Sequence, residues 1–545
     1  MTSVDLPTMS DFLIIGGGTA GLVVACRLSE NPEFKVIVLE SGSDATTDPR
    51  VRDPRLWRSS CSDLDWKMKI EPQPGLENRE QDCPAGKVLG GCSSINGLVY
   101  LPPSPSGIDV WAKLGNTSWT WDSLRPYIQK SITVTPPKHE TQTRDTLNDA
   151  APSGSIKVTY PALADKASEP LIQAWHQAFR DQGYEHVVEI IPKNKVIGTR
   201  DYTATIDPTS GLRSSADNEY GAIAASRSNV TIITNATVER ILLENSSAGP
   251  MATAAEFIHS GERYVLKATK EIILAAGAMH TPKILELSGV GDRHRLDDLG
   301  IPVIHDLPGV GENFQTHLMS VKTFQLKAGD HLEGLKPEMK AVAFTRLSSE
   351  EFSNLFSAHK IDGKAGQVIK SILQNPDNAS ACFLIGVLPG NKAIIAAISC
   401  FPFSRGSSHI SSNNPQDLPT VDAGLAAKEL DIEILARHIR DLYQVVSHEP
   451  LSTFFEVGEM QLDLEGIKNQ IRATGSTTHH ACGTTAMFPQ ADGGVVDEQL
   501  KVYGIQNLRI VDASIFPLIP HANPISTVYA VAERASDLIR GNHLN

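Results

Sequence analysis

Two short blocks near the end of this 545-residue chain hold the side chains best suited to moving a proton. They are Ser476-Thr477-Thr478-His479-His480-Ala481-Cys482-Gly483-Thr484 and Pro520-His521-Ala522-Asn523-Pro524-Ile525-Ser526-Thr527. An imidazole, with an ordinary pKa of about 6.5, takes or gives a proton at neutral pH, and a carboxamide can hold a substrate oxygen. Adjacent side chains on an extended segment point to opposite faces, so only one of His479 and His480 is expected to face a common site. Asn523 also reads as the N-cap, with Pro524 as the first-turn residue, of the helix that the spacing of VYAVAERASDLIR predicts, ending at Gly541. His521 is the competitor for Asn523 if the turn is offset by two residues.

A second chemistry stands at the other end of the chain, in Gly16-Gly17-Gly18-Thr19-Ala20-Gly21. Gly16 suits a tight turn, Gly18 lets backbone approach a pyrophosphate, and Gly21 permits close packing of helix on strand. The N–H groups that open a helix at Thr19 and Ala20 favour phosphate. Glu40, nineteen residues after Gly21, is placed to accept hydrogen bonds from both hydroxyls of an adenosine ribose and to repel a 2′-phosphate. The pattern does not separate FAD from NAD, and no second such fingerprint follows a strand elsewhere, so one dinucleotide is expected.

These residues need elements to position them. DFLII (11–15) predicts a strand, LVVACRLSE after Gly21 a helix, and KVIVLE (35–40) a second strand ending at Glu40. Farther on, 392–403 and 408–412 look strand-like, and 430–447 has helical spacing. Hydrophobic content of 41% with 21% charged residues describes an ordinary folded protein. The net charge of -14 disfavours nucleic acid and anionic membranes as partners. No basic leader and no apolar run of about 18 residues occurs, so a soluble intracellular, cytoplasmic protein is expected. Seven scattered cysteines, Cys61 among them, form no C-x-x-C pair, so reduced thiols and no metal site are expected.

Longer motifs are more specific. Gly86-Lys87-Val88-Leu89-Gly90-Gly91-Cys92-Ser93-Ser94-Ile95-Asn96-Gly97, with its flank at Asp65-Trp66 and the run through VYLPP to Trp111, resembles the first signature of the glucose-methanol-choline (GMC) oxidoreductases. The block from Gly277 to Gly291 resembles the second signature, and the likeness continues through 307–313, 403–407 and 477–540. The resemblance implies FAD held in extended form, reduced by hydride from an alcohol carbon and reoxidised by oxygen or another acceptor. It implies FAD contacts from Leu89, Gly90, Gly91, Ser93, Asn96 and Gly97, from Val238 to the adenine, and from Asp512, Ala513, Asn523 and Pro524. It assigns His480, three residues before Gly483, as the base and Asn523 as the group holding the substrate oxygen.

Three departures stand out: Cys92 where Gly, Ser or Thr is commonest, Thr316 in place of an Asp before His317, and Ala481 in place of Pro. Ile95 fills the position at which covalently flavinylated members carry His, so non-covalent FAD is expected. The expected fold is α/β joined to α+β: a Rossmann-like FAD-binding domain from 1–150, 227–316 and 477–545, and a substrate domain of antiparallel sheet backed by helices from 151–226 and 317–476. A small-molecule alcohol is the expected substrate. The competing readings are a hydroxynitrile-lyase-like enzyme that keeps FAD structurally, and a silent binding protein.

Overall fold

The computed structural model describes residues 6–57, 63–136, 154–193, 195–247, 249–329, 333–456, 458 and 463–543. Strand β1 (Met9–Ile15) is nearly continuous in apolar residues from Phe12 onward, the pattern of a strand covered on both faces. It runs through the glycine turn into helix α1 (Thr19–Leu28), and β2 (Val36–Leu39) then lies parallel to β1, Phe12 opposite Val36 and Ile15 opposite Leu39. The seven-stranded sheet has the order 230–233, β2, β1, 262–274, 249–259, 236–246, and Leu508–Ile510 adds in parallel beside 262–274. Strands widely separated in sequence thus build one surface, and helix α2 (Gly277–Leu287) leaves its central strand at Gly277.

A second seven-stranded sheet is antiparallel. Its long strands are β3 (Leu318–Leu326), β4 (Met339–Thr345), β5 (Ala381–Leu388) and β6 (Lys392–Ser399), in the spatial order β3, β6, β5, β4. Gly198–Asp201 extends it beyond β4, and Ser476–Thr477 pairs with the start of β3. Helices α3 (Glu429–Ser447) and α4 (Leu464–Thr474) cover one face, where Leu435, Ile439, Ile467 and Ile471 pack on Phe324, Phe383 and Ile395. The molecule is a mixed α/β protein with helix-backed sheets.

The segment 154–225 serves both layers. Gly198–Asp201 belongs to the second sheet, whereas the turn Asp217–Gly221 and the helix Ala222–Ala225 pack on α1. A four-stranded sheet, 407–409, 420–422, 68–73, 79–83, ties the two parts further. The final helix α5 (Ile525–His543) lies against α1, and Arg27 grips the fully buried Glu533 from there. Cys61 lies outside the described residues; Cys26, Cys83, Cys382, Cys400 and Cys482 are buried free thiols, and Cys92 is exposed. Among the described residues, no helix is long and apolar enough to cross a membrane.

Candidate active site

The glycine turn is shaped by what a side chain would meet. Gly16 has φ +105, and a Cβ on it would lie 2.4 Å from Ala275 O; one on Gly21 would lie 1.9 Å from Gly16 O. At Gly18 the way is open, since the first neighbour of a Cβ is the Cα of Gly91 at 3.8 Å. No side chain caps α1 at Gly18, so the N–H groups of its first turn, at Thr19, Ala20 and Gly21, face outward from a helix end that favours anions. Glu40 closes the turn: Gly17 N–H donates to its Oε2 at 2.8 Å and Gly42 N–H to its Oε1 at 2.7 Å. Burial outweighs these donors and pushes its carboxyl up to about 7.

The segment after Leu89 lies across this cradle. Gly90 N–H donates to Gly17 O, and Gly91, at φ +55, approaches Gly18 so closely that a Cβ on it would stand 2.9 Å from the Gly18 Cα. Ser93 Oγ donates to Gly90 O and accepts from Ala216 N–H, and Asn96 Oδ1 accepts from Leu98 N–H and from the buried guanidinium of Arg213. Gly97 packs under the ring of Trp57. Val238 lies two residues past Ala236, whose N–H donates to Glu40 O. Asp512 is buried, and its carboxylate accepts from Gly277 N–H, Thr281 Oγ1 and Ser514 N–H; it caps the turn Ala513–Ile515. A glycine-walled gap, a bare helix N-terminus and a carboxylate at the strand end fit a dinucleotide diphosphate and its ribose.

The imidazole of His480 sits at the centre of a second constellation. Its Nδ1 is 2.8 Å from His317 Nδ1, and its Nε2 is 3.1 Å from Asn523 Nδ2. His317 Nε2 is 2.9 Å from Pro520 O. A carbonyl only accepts, so His317 carries its proton on Nε2 and offers a lone pair at Nδ1. His480 must then donate from Nδ1, which leaves its Nε2 as a lone pair directed at the Asn523 amide. Burial pushes His317 down to about 4 and holds His480 well below its ordinary value, with the neighbouring histidines adding to the effect. Both rings are therefore neutral at pH 7, and His480 is a free base.

Several elements hold this chain. Gln315 joins strand to turn, accepting from Ile519 N–H and donating to Pro517 O, while its backbone pairs with Cys482. Thr316 and Thr477 hydroxyls bond each other at 2.8 Å; Thr316 accepts from His480 N–H and Thr477 from His479 N–H. Gly483 has φ +92, and a Cβ there would lie 2.5 Å from Asn313 O.

The extended segment assumed at His479 is not what forms. His479 has φ +63, a left-handed kink pinned by the two threonines, and its exposed ring comes under the influence of Asp82 and Asp65 instead. His521 is buried against Phe344 and accepts from Ser104 N–H, so it belongs to the core. Asn523 turns its carboxamide to His480. Reading the sequence missed the partnership of His317 and the clamp made by Gln315; the QTH run beside the second sheet was their only signal.

Comparison with known proteins agrees in family. Profiles described as GMC oxidoreductase match residues 10–319 and 402–532, so the chain belongs to the GMC oxidoreductases, a family of FAD-binding enzymes. It is 34% identical to the GMC oxidoreductase family protein Mala s 12 of Malassezia sympodialis, over 98% of this chain and 92% of the relative. It is 31% identical to an oxygen-dependent choline dehydrogenase of Chromohalobacter salexigens, over 98% of this chain and 95% of the relative. An FAD-dependent oxidoreductase from Chaetomium thermophilum superposes with a TM-score of 0.87 at 28% identity, over 98% of this chain and 100% of the other.

Proposed function

We propose that this protein oxidises an alcohol to an aldehyde or ketone, with His480 as base and Asn523 holding the substrate oxygen. FAD, when bound, would supply the acceptor for the hydride that leaves the carbinol carbon. The reading rests on one observation: the Nε2 lone pair of His480 opposes the Asn523 amide across 3.1 Å. An alcohol oxygen set beside the pair, replacing their mutual hydrogen bond, would accept from Asn523 Nδ2 and donate its proton to His480 Nε2. Removing that proton as the hydride departs avoids a protonated carbonyl product. The imidazolium left on His480 would favour a negative charge developing nearby when oxygen or another acceptor takes up the two electrons.

Leu89, Gly90, Gly91, Ser93, Asn96 and Gly97 would lie along the cofactor, with Thr19 and Ala20 at its phosphates, Glu40 at its ribose and Val238 at its adenine. Asp512, Ala513 and Pro524 would flank the flavin end. Ile95 offers no ring nitrogen, so the FAD is held without a covalent bond. The purified holoenzyme, mixed anaerobically with an alcohol, should bleach its flavin; a flavin that stays oxidised while hydroxynitriles are cleaved would sink the redox reading. Acid precipitation should release intact FAD, and yellow colour left on the pellet would refute non-covalent binding.

A further inference from the structure

The two faces of the second sheet meet different surroundings. Leu318, Phe324 and Leu326 pack with α3 and α4, and Lys322 between them donates to Gln470 on α4. Side chains alternate along a strand, so Met319, Val321 and Thr323 share the opposite face with His317, which immediately precedes β3. Register extends that face across β6 and β5: Met319 stands opposite Ile398, Val321 opposite Ala396, and Ala396 opposite Leu384. Ile398, Ala396 and Leu384 pack in the same cluster as Ile519 and Ala522, the residues that lead into Asn523. Two contacts tie this face to the catalytic pair: His317 bonds His480, and Phe344, which stands across Cys382 from Ile398, packs on His521 two residues before Asn523.

The first three rungs of that face from His317 carry no carboxylate, ammonium or guanidinium on β3, β6 or β5; the first charge is Lys392, one rung farther on, opposite Gln325. At about 6.8 Å per rung, the uncharged stretch is long enough for an aryl group or a chain of several carbons. Exposure grades along β3, where His317 is 0% exposed, Met319 half-buried and Val321 42% exposed, while Ile398 and Ala396 beside them are buried. Burial lowers the His479 pKa and Asp82 and Asp65 act against it, whereas burial and the imidazoles of His317 and His479 all lower that of His480. A cationic substrate would meet the imidazolium formed on His480 with no carboxylate on this wall to offset the repulsion.

We propose that the alcohol taken here has an uncharged apolar body, aryl or alkyl, laid against Met319, Val321, Ile398 and Ala396, with its carbinol at the His480–Asn523 pair. The inference rests on the alcohol-oxidation reading. The step it serves balances as R–CH2OH giving its hydroxyl proton to His480 and a hydride to the flavin, leaving R–CHO. Choline and its neutral isostere, in which a tert-butyl group replaces trimethylammonium, differ in charge and hardly in shape. With the holoenzyme, kcat/KM for the isostere should exceed that for choline at least 100-fold, and along the linear primary alcohols it should rise about fourfold per methylene up to the length of the wall. Calorimetry should show binding of 2-phenylpropan-2-ol, a tertiary alcohol with no hydride to give, and none of choline. Ala396→Leu should lower the hexanol-to-propanol ratio of kcat/KM about tenfold. Flavin reduction by alcohols with choline equal to or better than its isostere would overturn this inference and leave the oxidation reading standing; no reduction by any alcohol would overturn both.

Discussion

Two histidine pairs in this chain solve opposite problems. His176 and His186 stack face to face, ring centroids 4.0 Å apart, and both direct Nε2 at the carboxylate of Asp201, at 3.0 and 3.2 Å. His317 and His480 meet edge to face at 5.1 Å, joined nitrogen to nitrogen, and their chain ends on a carbonyl and an amide. Burial pushes the Asp201 carboxyl up, but the hydrogen bonds and field of the two imidazoles outweigh it and hold it far below the usual range. The first pair directs its nitrogens to an anion, and the three ligand atoms lie within 4.8 Å of one another, close enough to share a metal ion. The second has no anion, so its last nitrogen keeps a lone pair for chemistry. The carboxylate makes the difference.

The largest effect should come from removing the lone pair. His480→Ala should slow flavin reduction by about 100-fold or more with FAD still bound, measured by anaerobic stopped flow; near-normal reduction would take His480 out of the role. His317→Leu removes the acceptor that fixes the tautomer and should cost about 10- to 100-fold in the reduction rate with substrate affinity little changed. His317→Gln, whose carbonyl can accept from His480 Nδ1, should recover most of that loss, and equal rates for the two variants would show that the tautomer does not matter.

Asp201→Asn should lower stability to urea by about 1–3 kcal/mol while the reduction rate stays as in the wild type. A fall in the rate would show that this pair reaches the site.

The smallest effect is a slope. The folded pKa values of His317, His480 and His521 lie below the ordinary imidazole value, so the unfolded chain binds more protons as pH falls from about 6.5. Stability from these groups is complete above that pH and is lost on acidification toward about 4 for His317 and about 3 for His521. The Asp201 contribution, from a depressed carboxyl, is lost only below about 4. These histidines should pull thermal melts down between pH 6.5 and 4, Glu40, raised to about 7, pulls the other way, and His317→Gln should remove at most about 1.4 kcal/mol per pH unit of the downward slope.

Local pattern made the nucleotide end readable. A strand, three spaced glycines, a helix and Glu40 lie within one short stretch; Gly21 answers a contact inside it, Gly16 answers Ala275 at the end of the neighbouring strand, and Gly18 leaves the way open. His480 was legible from its spacing to Gly483 within a family resemblance, but neither the kink at His479 nor its cause was, because the threonine that pins His480 N–H is Thr316, in a distant part of the chain. The choice of Asn523 over His521 turned on Ser104, whose N–H takes up His521 Nδ1.

The sequence by itself determined the family and the class of cofactor and pointed to the residue proposed as base, since these follow from residue types at short, fixed intervals. Tertiary structure alone decided which nitrogen of His480 carries the proton and which face of the second sheet His317 shares. A tautomer depends on the partner of the other nitrogen, here His317 and behind it Pro520 O, and such partners are joined by folding and not by spacing along the chain.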